Sequence, residues 1–188
     1  MTRRRQVLVF TAGVAALTVA VAAGAPAAVT FSKPGLITSI GQSSDIAIVK
    51  VMLNTQLKLG LNYKPTAQVA DLAGVKSLLL VVGASAKGLG AAGLDMDKEI
   101  ERTRALLKAA KAAGVPILVL HTGGESRRGK TSNDLIDIVV PEADYVVVVA
   151  AGNKDKLFNT LAAKRNVPVV EVEKVSAAGE AVRAVFKD

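Results

Sequence analysis

From Leu36 onward, short aliphatic runs alternate with amphipathic stretches along this chain. Residues 36–40 read as a short strand, broken by Gly41-Gln42-Ser43-Ser44. Ile46, Val49, Leu53 and Leu57 then recur at helical spacing, with Lys50, Asn54 and Lys58 opposite them. Ser44 suits the N-cap of that helix and Gly60 its stop. Residues 63–74 connect to a buried strand at 77–82, Ser-Leu-Leu-Leu-Val-Val, and the glycine-rich residues 83–94 follow as a loop. The clearest helix spans 95–113, where Ile100, Thr103, Leu107 and Ala110 share a face and Gly114 with Pro116 end it.

Beyond it, 117–120 is a strand running into His121, 122–130 a loop, and 132–139 a short helix. Residues 144–150 hold four consecutive valines, the mark of a central strand covered on both faces. A helix at 154–165, a strand at 168–172 and a closing helix at 177–186 complete the alternation. Apolar strands separated by helices predict an α/β fold: a three-layer α/β/α sandwich on a five-stranded parallel sheet, Rossmann-like or flavodoxin-like. The pattern leaves the strand order open. It contains no internal repeat and no second domain.

The first 27 residues stand apart from that pattern. Arg3, Arg4 and Arg5 precede an uncharged Val/Ala/Leu/Thr stretch from Val7 to Ala23, and Ala25-Pro26-Ala27 offers a small-x-small cleavage pattern. Residues 1–27 therefore read as a signal peptide and 28–188 as one α/β domain, exported to a periplasmic or extracellular location. Contact with a membrane is expected only through the signal segment, were it left uncleaved. Arg4-Arg5-Gln6-Val7-Leu8 also resembles a twin-arginine signal, so that route and the general secretory one both stand.

Composition narrows the function classes. The chain has no Cys, which removes disulfides, thiol catalysis and a lipid anchor on cysteine. Aromatic residues make up 3% and Trp is absent, which argues against sites that stack rings on sugars or bases. The formal charge of +8 falls to +5 without Arg3, Arg4 and Arg5 and is spread over many lysines. That bias favours small anionic partners and gives no basic run with interleaved aromatics, so nucleic acid is not expected. One His and no Cys make a transition-metal site unexpected, and no cofactor is implied. The acids Asp95, Asp97 and Glu99 at a helix start are read as complementing its dipole.

In parallel sheets ligands sit beyond the carboxyl ends of the strands, where strand order reverses. The loops expected there carry the candidate ligand-binding residues Gly41, Gln42, Ser43, Ser44, Ser85, Lys87, His121, Thr122, Gly123, Gly124, Arg127 and Arg128. The most informative stretch runs from His121 through Gly123-Gly124 and Arg127-Arg128-Gly129-Lys130 to Thr131 and Ser132, which open the next helix. Glycines admit a close backbone approach, the bases supply charge, and helix N-terminal amides favour a carboxylate or phosphate. The two arginines are expected to sample solvent in the empty protein and to close over an anion. Gly88-Leu89-Gly90-Ala91-Ala92-Gly93 matches a dinucleotide fingerprint only in letters, because Ala84 to Lys87 separate it from its strand.

His121 is the single histidine and the one catalytic candidate, with Ser43, Ser44, Ser85 and the acids Asp45, Asp95 and Glu125 on neighbouring loops. No G-x-S-x-G elbow is present to expose a nucleophile. The expectation is an exported domain that binds a small anionic solute, with a transporter or sensor as partner. The competing readings are a small hydrolase or transferase using His121, and an interaction domain without a ligand.

Several stretches carry a family resemblance. They are Gly83-Ala84-Ser85-Ala86-Lys87-Gly88 through Asp95, Gly114-Val115-Pro116-Ile117, His121 with Gly123-Gly124 and Gly129, Ala143-Asp144-Tyr145, and Gly152-Asn153-Lys154-Asp155. On these, residues 36–186 resemble an uncharacterised family of small exported bacterial α/β proteins, a domain of unknown function. The resemblance implies the fold and brings no activity. Ala112-Ala113-Gly114-Val115-Pro116-Ile117 is more loosely similar to α/β hydrolases of the isochorismatase type, whose nucleophilic Cys has no counterpart here.

Overall fold

In the computed structural model, which describes residues 29–187, the sequence forms an α/β fold on a parallel sheet. The expected signal segment lies outside the described residues. Among the described residues, no helix is long and apolar enough to cross a membrane.

The strands are β1 (Gly35–Ile40), β2 (Asn62–Tyr63), β3 (Ser77–Val82), β4 (Ile117–His121), β5 (Tyr145–Val149) and β6 (Val169–Val172), and every pairing is parallel. Their order is β2-β1-β3-β4-β5-β6, so chain direction across the sheet reverses between β1 and β3. The helices are α1 (Asp45–Lys50), continued by a π-helical stretch (Val51–Gln56), α2 (Ala86–Ala91), α3 (Met96–Ala112), α4 (Lys130–Val139), α5 (Leu157–Ala163) and α6 (Val175–Val185).

Strand alternation sends side chains to two cores. Leu78, Leu80, Ile117, Val119, Val146 and Val148 pack with α3, α4 and α5. Leu79, Val81, Leu118, Leu120 and Val147 pack with α1 and α6. The helices thus cover both faces of the sheet, as continuously apolar strands require.

Two expectations need correction. The sheet has six strands, not five. β2 is only two residues and carries no apolar run, so nothing in its own sequence marks it. It is made by its neighbours. Asn54, on the polar side of the first helix, donates from Nδ2 to the Leu61 carbonyl at 2.7 Å and accepts from the Leu61 N–H at 2.8 Å. That lays the segment beside β1. Beyond β2, the Pro65 carbonyl accepts from the Ser39 N–H at 3.0 Å and from the Thr38 hydroxyl at 2.9 Å. The second correction is that residues 83–94 are not all loop. α2 forms there because Ser85 caps it, its Oγ accepting from the Gly88 N–H at 3.1 Å, and because Leu89 is buried beneath it. Its two glycines hide it from propensity reasoning.

One buried ion pair joins these parts. Glu99 and Arg102 of α3 are both buried. Glu99 accepts from the Gly41 N–H at 2.7 Å, from Gln42 Nε2 at 3.1 Å, and from Arg102 Nη2 at 2.7 Å and Nε at 2.8 Å. Arg102 donates further to the Ala67 carbonyl at 2.8 Å and to the Ser39 carbonyl. Every charge-bearing atom is matched, which is the condition under which a buried pair is tolerated. Removing one partner leaves the other charge buried alone. Arg102→Met should therefore cost about 3–5 kcal/mol in chemical denaturation. A loss below about 1 kcal/mol, the range of a surface pair, would show that the pair bears no such burden.

Candidate functional site

The carboxyl edge of the sheet gathers the loops after β1, β3, β4 and β5. The reversal between β1 and β3 is where a crevice is expected. Here it is closed by backbone. Gly41 has φ +100, and a Cβ on it would lie 2.6 Å from the Gly83 carbonyl. Gln42 (φ 55) forms a bridge with Ala84, and the Ser85 N–H donates to the Gly41 carbonyl at 2.8 Å. Gly88 packs directly on the Gln42 carbonyl. The fingerprint-like glycine is therefore a packing glycine, needed where α2 meets the β1 turn.

Of the predicted residues, Gly41, Gln42 and Ser43 are buried in this contact, while Ser44 and Lys87 are exposed. Ser85 serves as the α2 cap. His121 is fully buried on the α5 side, its ring centroid 5.2 Å from that of Phe158. Its Nδ1 lies 3.0 Å from the Val82 carbonyl and its Nε2 3.2 Å from the Gly124 carbonyl. A neutral imidazole donates to one of the two. Burial pushes the ring below its ordinary 6.5, against the pull of the two carbonyls; the nearby Arg128 adds to the lowering and Asp45 opposes it. Such a ring holds the β4 loop to its neighbours and has no free nitrogen for a substrate.

Thr122 alternates to the other face. Its Oγ1 is buried without a hydrogen-bond partner, as is Ser39 Oγ. The next residues, Gly123 and Gly124, lead into a 3-10 turn at Gly124–Arg127. The two arginines that follow differ sharply. Arg127 reaches back to α1: its Nε lies 3.4 Å from Asp45 Oδ2, and its Nη2 donates to Ser44 Oγ at 3.3 Å. Arg128 is clamped. It donates to the Gly152 carbonyl, to Asn133 Oδ1 at 2.9 Å, and in a fork to both Asp155 oxygens at 3.0 and 2.8 Å. Its guanidinium also lies over Phe158. That hydrogen bonding holds the Asp155 carboxyl below the usual range. The expectation that both arginines sample solvent in the empty protein is thus corrected: each has protein partners, and Arg128 commits four of its five N–H groups to them.

Open space lies one step along the edge, at the start of α4. A hollow of about 330 Å³ is walled by Ala84, Ala86, Arg128, Gly129, Lys130 and Thr131. α4 begins at Gly129 (φ 121), with no side chain capping it and no acid in its first turn. Ser132 does not cap it; its Oγ accepts from the Ala84 N–H at 2.9 Å, tying α4 to the β3 loop. The sequence did not single out Asp155 or the Gly152 carbonyl as what immobilises Arg128. Their signal was only a polar loop after a valine strand. Among the described residues, no group of three or more His, Cys, Asp or Glu is placed to hold a metal ion.

A family model described as "Domain of unknown function (DUF6305)" matches residues 32–186, so the chain belongs to that family. No curated protein matches it.

Two tests follow from His121. Its lowered native value means the unfolded chain binds a proton that the folded one refuses, so stability is full above 6.5 and falls as pH drops below it. Denaturation midpoints should fall between about pH 6.5 and 5 in the parent and far less in His121→Gln; a parent curve flat across that window contradicts the burial argument. Separately, a Cβ at Gly152 would lie 2.6 Å from the imidazole. Gly152→Ala should cost roughly 1–3 kcal/mol by overpacking, and an unchanged melting temperature would refute that contact.

Proposed function

We propose that this DUF6305 member is an exported domain that binds a small anionic solute at the carboxyl edge of its sheet. The anion sits on the first turn of α4, between Arg128 and Lys130. One observation carries the reading: α4 begins inside a 330 Å³ hollow with neither a capping side chain nor an acid in its first turn. Those N–H groups and the positive end of the helix dipole are left for a ligand oxyanion. Arg128, already immobilised by Asp155, presents a fixed guanidinium and so loses little freedom on binding.

The fold reading supports the location. The order β2-β1-β3-β4-β5-β6 is a flavodoxin-like order extended by one strand, in a three-layer arrangement that binds ligands at this edge. Export follows from the Arg3–Arg5 and Val7–Ala23 segment. A transporter or sensor would then be the partner that receives the solute.

The test is a thermal-shift panel of small carboxylates, phosphates and nucleotides on the full chain. A ligand at 100 times its Kd should add about 2.7 kcal/mol of stability. Thr131→Glu would place a carboxylate in the first turn of α4 and occupy the site from within. It should abolish that gain while leaving the unliganded protein as stable or slightly more so. Undiminished binding in Thr131→Glu moves the anion elsewhere, and a panel without any stabilising anion removes the reading.

A further inference from the structure

On the opposite face of the same edge lies a second set of polar groups, and Arg127 fills it. Val81 of β3 lies opposite Leu120 of β4, and both face the α1 core. Two residues on, Gly83 and Thr122 therefore face that side too. Asp45 stands above them, 8% exposed, its Oδ2 accepting from Ser43 Oγ at 3.0 Å. A Cβ on Gly123 would lie 2.5 Å from that same oxygen, so the carboxylate rests on glycine. Thr122, 6% exposed, falls on the same side by strand alternation, and its buried hydroxyl has no hydrogen-bond partner. The side chain of Arg127 crosses Gly123 and Gly83 to reach it.

Arg127 is a loose occupant. Its closest approach to the carboxylate is 3.4 Å, and its bond to Ser44 is long at 3.3 Å. Arg128, next in the chain, makes the short forked contacts described above. A buried carboxylate with one close donor, beside a buried hydroxyl with none, is underused by what fills it.

We infer that the Asp45–Ser43–Thr122 compartment is a subsite for an ammonium group, which Arg127 plugs in the empty protein. This rests on the anion reading above and names the solute class: a small zwitterion of the amino-acid kind. The two half-sites lie on either side of the β3 loop, where Gly83 lines one and the next residue, Ala84, walls the other, so the solute straddles that loop. Binding exchanges partners without leaving a charge alone. The solute ammonium takes Asp45 and the Thr122 hydroxyl accepts from it. Arg127 swings out on the glycine-rich loop to join Arg128 against the solute carboxylate.

The experiment titrates the full chain with the protein amino acids, each matched with its des-amino acid and its decarboxylated amine. The expected result is that an amino acid binds roughly 10- to 100-fold more tightly than its des-amino partner. Asp45→Asn should remove that advantage and leave the des-amino acid's affinity unchanged. In Arg127→Ala, where the plug is gone, the amine should stabilise the protein more than it does the parent. This second variant decides the matter should Asp45→Asn fold poorly. Equal binding of amino acid and des-amino acid overturns the zwitterion and leaves the anion reading standing. So does an Asp45→Asn loss that falls on both alike, or an Arg127→Ala protein with no gain for the amine. Binding of amines to the parent without any carboxylate upholds the Asp45 subsite and overturns the anion reading. A panel with no binder overturns both.

Discussion

The Glu99–Arg102 pair is the constraint on which the carboxyl edge depends. A carboxylate and a guanidinium taken out of water cost several kcal/mol each unless every lone pair and proton is met. Here they are met by backbone that would otherwise be irregular: the Gly41 N–H, the Gln42 amide, and the Ser39 and Ala67 carbonyls. One helix thereby fixes the end of β1, the left-handed residue Gln42, and the segment that leads from β2 toward β3. Because Gln42 is fixed, Gly88 can pack on its carbonyl and α2 can close the β1/β3 crevice. The crevice is then unavailable, and open space appears at α4 instead. The position of the hollow is in this sense a consequence of a salt bridge buried on the same face of the sheet.

The glycines of the edge divide the labour. Gly41 and Gly88 bring backbones together, while Gly123 and Gly152 admit the side chains of Asp45, Arg127 and His121. A floor without Cβ atoms lets charged groups approach the sheet itself. Two adjacent arginines then go to opposite faces, one tightly matched and one loosely. That asymmetry lets a single short loop hold its shape and still have a side chain to exchange.

The parts of the fold that were legible are those whose signal is local. β3, β4 and β5 are continuous aliphatic runs, as strands buried on both faces must be. α3 carries its own period and its own Gly-Pro stop. β2 and α2 escaped because they exist through others: Asn54 anchors Leu61, just before the strand, and the Gln42 carbonyl supplies the helix's seat. For the candidate site, the gathering of the loops at one edge was legible, since parallel sheets fix where their βα turns lie. Which loop stays open was not, nor was the difference between Arg127 and Arg128. Their partners Ser44 and Asp155 lie 83 and 27 residues away. Glu99 showed only as a helix-start acid, because an acid's burial depends on what covers it rather than on its place in the helix.

The short β2 has a consequence for the protein's company. An uncovered parallel strand presents a row of backbone donors and acceptors to any extended chain nearby. β1 would be such a strand if β2 were absent. Instead a two-residue pairing is followed by Pro65, whose carbonyl takes two groups of β1 and whose ring has no N–H to offer outward. At that margin the ladder cannot be templated further. A protein built of aliphatic strands therefore ends the β2 margin of its sheet with a residue that offers no further donor, which guards that margin against edge-to-edge aggregation in a crowded solution.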